Sequence, residues 1–344
     1  MNLQQLFGIA LPIIQAPMAG VQTSALAIAV SNAGGLGSLP CAMLTPEGVE
    51  AELKAIVAGT SQPYKLNFFS HVTPAPDSTR EARWRKALAP YYAELGIDPE
   101  GVPAGAGRAP FSHAIADLIE PFRPPVVSFH FGLPDPALVQ RVKAWGGKVL
   151  SSATTVAEAR WLEANGVDAI IAQGLEAGGH RGIFLTVDLS TQLGTMALLP
   201  QVLRAVRVPV IAAGGIADAR GVQAALALGA AGVQVGTAYM LCPEATTTAL
   251  HRAALQSPRA EHTVLTNLIT GRPARGILNR LMKELGPLSD APPAFPLATA
   301  ALAPLKAAAE KLGRDDFSTL WSGQNATGCR EIPAAELTRQ LAGL

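Results

Sequence analysis

Ala169-Ile-Ile-Ala-Gln-Gly-Leu-Glu-Ala-Gly-Gly-His180-Arg-Gly182 begins as an apolar run and ends as a polar, glycine-rich loop. An unbroken apolar run such as 169–172 reads as a strand buried on both faces, the mark of a parallel sheet. Its abrupt end delivers Gln173, Glu176, His180 and Arg181 immediately after the strand, which is how a strand feeds a functional loop. Two further units of the same kind follow, Pro209-Val-Ile-Ala-Ala-Gly-Gly-Ile216 and Ala231-Gly-Val-Gln-Val-Gly-Thr237. Between them, residues 218–229 read as a helix with an acidic start and a glycine stop. Glycines after successive strands are most simply explained by backbone approaching a phosphate.

Outward from this centre, short apolar runs alternate with helix-period segments from residue 11 onward, the pattern of repeated strand-helix units. About eight strands are predicted. They lie at 13–15, 36–39, 65–69, 126–131, 148–151, 169–172, 208–213 and 232–235. Helices are expected at 24–32, 45–57, 113–120, 135–145, 155–165 and 196–206, and 81–95 reads as a surface helix. Right-handed crossovers in this number close into an α/β TIM (β/α)8 barrel over residues 1–242. Residues 96–111, rich in Gly, Pro and Ala, read as an irregular excursion, of which 97–111 fit no family signature. Residues 243–344 break the rhythm, with helix-like stretches at 245–255, 277–285 and 298–312 and no strand alternation. They are assigned to an α-helical C-terminal addition packing over the barrel mouth.

With 344 residues and 49% hydrophobic content, the chain buries a core without staples. A net charge of +1, with no basic stretch, points away from nucleic acid and anionic membrane and toward small-molecule partners. Cys41, Cys242 and Cys329 are odd in number and widely spaced, which argues against a disulfide framework or a metal cluster and for a cytoplasmic setting. No apolar run approaches the roughly 20 residues that span a bilayer.

In such a barrel, functional groups sit at the carboxyl ends of the strands, and phosphates bind after the last two. Gly214, Gly215, Gly236 and Thr237 fall there, suited to a phosphate dianion; the alternative is that they only permit tight turns. Asn67, His130 and Gln173 also end strands, and amides and a neutral imidazole suit a flat hydrogen-bonding ring such as an isoalloxazine; alternatively they satisfy loop backbone. His180 follows two glycines and, with an ordinary pKa near 6.5, is able to accept a proton at neutral pH. Glu176 and Arg181 read as a surface ion pair, and Cys41 as a buried thiol. The remaining histidines show no metal-ligand spacing, and no Rossmann or Walker loop is present.

At this point the residues resemble a family. Gln15-Ala-Pro-Met-Ala-Gly20, Gly34-Gly-Leu-Gly37, Asn67-Phe68, Ser128-Phe-His-Phe-Gly132, Ala172-Gln-Gly174, Glu176-Ala-Gly-Gly-His-Arg-Gly182, Ala212-Ala-Gly-Gly-Ile216, Gln234-Val-Gly-Thr237 and Thr270-Gly-Arg-Pro-Ala-Arg275 are similar to signature segments of nitronate monooxygenases, formerly 2-nitropropane dioxygenases. The resemblance implies a non-covalent FMN, its phosphate on Gly215, Gln234, Val235, Gly236 and Thr237, and Met18, Asn67, Gln173 and Gly178 around the ring and ribityl chain. It implies His180 as catalytic base and His130 as an anchor for an anionic group. Alkyl nitronates of the propionate 3-nitronate type would be oxidised by dioxygen to a carbonyl compound and nitrite. Trp321-Ser-Gly-Gln324 resembles the segment that returns toward the flavin, and a homodimer is left open. The same motifs are largely shared with FMN-dependent, NAD(P)H-using enoyl-acyl-carrier-protein or quinone reductases. A flavin-free isomerase or synthase barrel holding a substrate phosphate, and a non-catalytic flavin carrier, are the remaining alternatives.

Overall fold

The computed structural model describes residues 2–102 and 108–344, so residues 103–107 of the irregular excursion lie outside it. The barrel strands are β1 (Ile13–Gln15), β2 (Gly37–Pro40), β3 (Tyr64–Phe69), β4 (Val126–His130), β5 (Lys148–Ala153), β6 (Ala169–Gln173), β8 (Val210–Ala213) and β9 (Gly232–Val235). A short strand, β7 (Gly179–His180), follows β6 outside the barrel. The barrel strands are parallel in the order β1-β9-β8-β6-β5-β4-β3-β2. The two ends of this sheet meet, because Gln15 N donates to Leu36 O at 3.0 Å and Leu36 N to Ile13 O at 2.9 Å. The TIM barrel expected from the alternation is the fold observed.

The helices start where short polar side chains cap them. Thr23, Thr45, Thr155 and Asp218 each accept a hydrogen bond from a first-turn N–H of the helix that follows. Alternation along the strands then sorts residues by face. Leu66 and Phe68 of β3 join the core between strands and helices, whereas Asn67 and Phe69 face the barrel mouth. Below that mouth, Ile14, Leu36, Leu150 and Ile171 pack with Leu3 and Phe7 of a plug helix, Leu3–Phe7.

Two expectations need amendment. Helix Ser78–Leu95 is not a lone surface helix: Trp84, Leu88, Tyr91 and Tyr92 are buried in a second core with Leu302 and Leu305 of helix Ala298–Lys311. Tyr92 OH and Trp84 Nε1 donate to carbonyls of that helix, and a partner so remote leaves no trace in local periodicity. The region 243–344, read as helical, also holds β10 (Thr263–Thr266) and β11 (Ala274–Ile277). These form an antiparallel sheet in the order β10-β11-β7, so the C-terminal region reaches back to residue 180.

Candidate active site

A cavity of about 260 Å³ opens at the carboxyl ends of the strands. Met18, Asn67, His130, Gln173, Gly178, His180, Gly214, Gly215, Gln234, Gly236 and Thr237 all line it. Of the residues singled out in the sequence, Val235 does not; its side chain is in the barrel core and its carbonyl accepts from Ala16 N at 2.8 Å.

His180 is held by a strand rather than left on a free loop. Its register with Ala274 of β11 fixes the backbone, and its carbonyl accepts from Gln173 Nε2 at 3.0 Å. Its Nε2 lies 2.9 Å from Thr270 Oγ1, so Nδ1 is the nitrogen left for a ligand. Burial, reinforced by the cations Arg108 and Arg272, pushes its pKa well below 6.5. The ring is therefore neutral at pH 7 and free to accept a proton.

His130 stands beneath it, with Nδ1 at 3.2 Å from Ser152 Oγ and Nε2 at 3.1 Å from the His180 carbonyl. Burial lowers it to about 4 against the opposing effect of that carbonyl, so it too is neutral. Both of its nitrogens are spent on the protein. Gln173 is likewise engaged, its Oε1 accepting from Gly182 N at 2.8 Å. Asn67 differs: its Nδ2 donates to Ser128 Oγ at 2.9 Å, which leaves Oδ1 as an acceptor at the cavity wall.

Glu176 and Arg181 are not the surface ion pair their spacing suggested. Arg181 is fully buried and donates to Gln192 Oε1, Gly174 O and Gln173 O at 3.0, 2.7 and 2.8 Å. It pins the turn after β6 from inside. Glu176 instead accepts from Thr195 N and Thr195 Oγ1, both at 2.8 Å, at the start of helix Thr195–Ala205. Cys41 is buried, as expected, and burial pushes its thiol pKa up.

Sequence reading missed several groups at the site. Lys65, inside the barrel and fully buried, donates from Nζ to Gln234 Oε1 at 2.6 Å, and burial lowers its pKa to about 7. Strand alternation from Asn67 could have located it. Arg108 and Phe295 come from segments far apart in the chain and carried no local signal. Trp321, Ser322 and Gly323 line the cavity, with Gly323 N donating to Thr237 Oγ1 at 3.0 Å and Gln324 N to Glu176 O at 2.9 Å. No helix among the described residues is long and apolar enough to cross a membrane.

Comparison with known proteins fits this geometry. The sequence profile of the family described as nitronate monooxygenase matches residues 1–343. A nitronate monooxygenase of Pseudomonas aeruginosa is 44% identical over 342 residues, covering 98% of this chain and 97% of its own. One from Paraburkholderia phytofirmans is 43% identical, covering 98% and 92%. The crystal structure of a nitroalkane oxidase from Streptomyces ansochromogenes superposes with a TM-score of 0.89 at 40% identity, covering 99% of this chain and 96% of its own. The chain belongs to the nitronate monooxygenase family, a family of flavoprotein oxidoreductases.

Proposed function

We propose that this chain holds FMN in its cavity and oxidises alkyl nitronates of the propionate 3-nitronate type, with dioxygen as acceptor, to a carbonyl compound and nitrite. The observation that carries this reading is His180, a neutral imidazole with one nitrogen fixed by Thr270 and the other free at the cavity. The surrounding residues fit the cofactor. Gly214 and Gly215 have φ of 119° and 73°, which lets peptide groups rather than side chains meet a phosphate. At Gly236 an added Cβ would stand 3.2 Å from Ala16 Cβ and 3.6 Å from Met18 Sδ, so the bare backbone keeps this wall of the cavity uncrowded. Asn67 Oδ1 offers the acceptor that a ring N–H requires.

In this reading Gly214, Gly215, Gln234, Gly236 and Thr237 receive the phosphate, and Met18, Asn67, Gln173 and Gly178 surround the ring and ribityl chain. The bound flavin would supply the capacity to take electrons from a carbanion and pass them to dioxygen. The protein's own work is modest. A nitronate arrives already deprotonated, so the cavity has only to orient it and exclude water. A neutral nitroalkane must first lose its α-proton, and His180 Nδ1 takes it. His130, with both nitrogens committed, steadies the His180 backbone.

Anaerobic mixing tests the proposal. Propionate 3-nitronate should bleach a flavin band at about 450 nm, whereas NADPH should not. Rapid bleaching by NADPH alone would favour a reductase, and a colourless purified protein would remove both readings.

A further inference from the structure

The two arginines whose charge bears on His180, Arg108 and Arg272, are not equivalent. Arg272 is anchored: its guanidinium carbon lies 3.9 Å from the Phe131 ring centroid and one Nη donates to the Ile183 carbonyl. Arg108 is not. Its Nη1 is buried and has no hydrogen-bond partner among the described residues, and its other terminal nitrogen meets only Met43 Sδ, at 3.9 Å. Its guanidinium carbon stands 5.6 Å from the Phe295 ring centroid, and the His180 ring centroid lies 5.4 Å from that of Phe295.

Among the described residues, no carboxylate pairs with Arg108. Among the described lining residues the one carboxylate is Glu310, which already accepts from Ser318 Oγ at 2.6 Å and lies 3.9 Å from Lys306 Nζ. Leaving a guanidinium donor unpaired in an aromatic pocket costs free energy that an anion would recover. Phe69, Phe131 and Phe295, with ring centroids 4.9 to 5.9 Å apart, make that wall apolar and strengthen the cation's field. The phosphate-facing loops do not meet this need: they follow β8 and β9, while Arg108 precedes Phe111, whose N–H is tied to the end of β3 across the barrel.

We infer that Arg108 is a specificity-determining residue that receives a carboxylate carried by the substrate, at the end away from the nitronate carbon. The inference rests on the nitronate reading above and narrows it to nitronates bearing a second negative group. A guanidinium is the right receptor, since it offers paired donors to both carboxylate oxygens. His130, neutral and committed at both nitrogens, lacks that capacity.

The test compares Arg108→Gln with wild-type holoenzyme on two substrates, propionate 3-nitronate and the nitronate of 1-nitropropane, which lacks the carboxylate. The variant should lose roughly tenfold to a hundredfold in kcat/KM on the first, mainly through KM, and at least tenfold less on the second. Arg108→Lys, which keeps the charge but not the paired donors, should lose less than Arg108→Gln on the first substrate and match wild type on the second, and so guards against a folding defect. Calorimetry supplies a readout independent of turnover. Succinate, with a carboxylate in place of the nitronate, should bind the variant roughly tenfold to a hundredfold more weakly, and butyrate should change much less. Equal losses on the two nitronates, or unchanged succinate affinity, would overturn the inference. Wild-type enzyme that binds succinate through Arg108 but oxidises neither nitronate would sink the nitronate reading alone.

Discussion

The His180 ring sits among Phe69, Phe131, Phe295 and Trp321, with centroid separations of 6.0, 5.9, 5.4 and 5.7 Å. That setting decides its protonation. Burial disfavours the imidazolium, so as pH falls the ring stays neutral through 6.5 and gains its proton only below that value. A base so placed is weak but fully available at neutral pH, and only a substrate that needs deprotonation draws on it. We therefore expect His180→Asn to lower kcat/KM for nitroethane by about 10² to 10⁴, and to affect ethyl nitronate far less. With wild-type enzyme the acid limb of the nitroethane profile should lie below pH 6.5. Steady-state kinetics on both forms across pH decides the matter: equal losses on nitroethane and its nitronate would remove His180 from the proton transfer. The candidate residues that end barrel strands were legible in the sequence because a strand's last inward residue must face the mouth. Arg108 was not, since its meaning comes from Phe295 and His180, which no local pattern joins to it.

At the scale of elements, the site is closed by a backbone strap. Segment 321–324 crosses over Gly178, where an added Cβ would stand 2.5 Å from Gly323 N and 2.6 Å from Ser322 C. Both obstacles are backbone, fixed by the bonds of Gly323 N to Thr237 Oγ1 and Gln324 N to Glu176 O, so neither rotates aside. Gly178→Ala should then displace the strap, costing about 1–3 kcal/mol and reducing the flavin that the purified protein retains. Denaturant unfolding and flavin content check this together; a variant equal to wild type in both would mean that the strap is not held where it lies. The glycine pair before His180 was visible in the sequence. The structure adds that Gly178 makes room for another stretch of chain. Similarly, β7 is two residues long and exists only because β11 pairs with it, so no run of sequence could announce it.

At the scale of the whole molecule, barrel strands such as β6 and β8 show through in the sequence because they are locally apolar runs that end at glycines. What closes the ring does not. After β9 the chain leaves the barrel for the second core and the β10-β11 hairpin, then returns as helix Ala334–Leu341. Ala334, Leu337 and Leu341 of that helix pack into the same core as Leu26 and Val30 of helix Ser24–Asn32 and Val222 of helix Ala219–Ala227. Thr338 Oγ1 lies 2.8 Å from the buried Tyr239 hydroxyl. The final helix therefore occupies the place of the barrel's last outer helix, and the excursion is an insertion between a strand and its own helix. This arrangement makes the C-terminal helix part of the barrel's cooperative unit. Leu337→Ala, at a position 1% exposed, should cost about 2–5 kcal/mol through a cavity in the barrel core itself. Loss of helical circular dichroism and release of flavin should shift to lower urea together, because one core serves both. Unchanged midpoints for both signals, with only a small early loss of helicity, would instead mean that the last helix docks as a separable tail on a ring already complete without it.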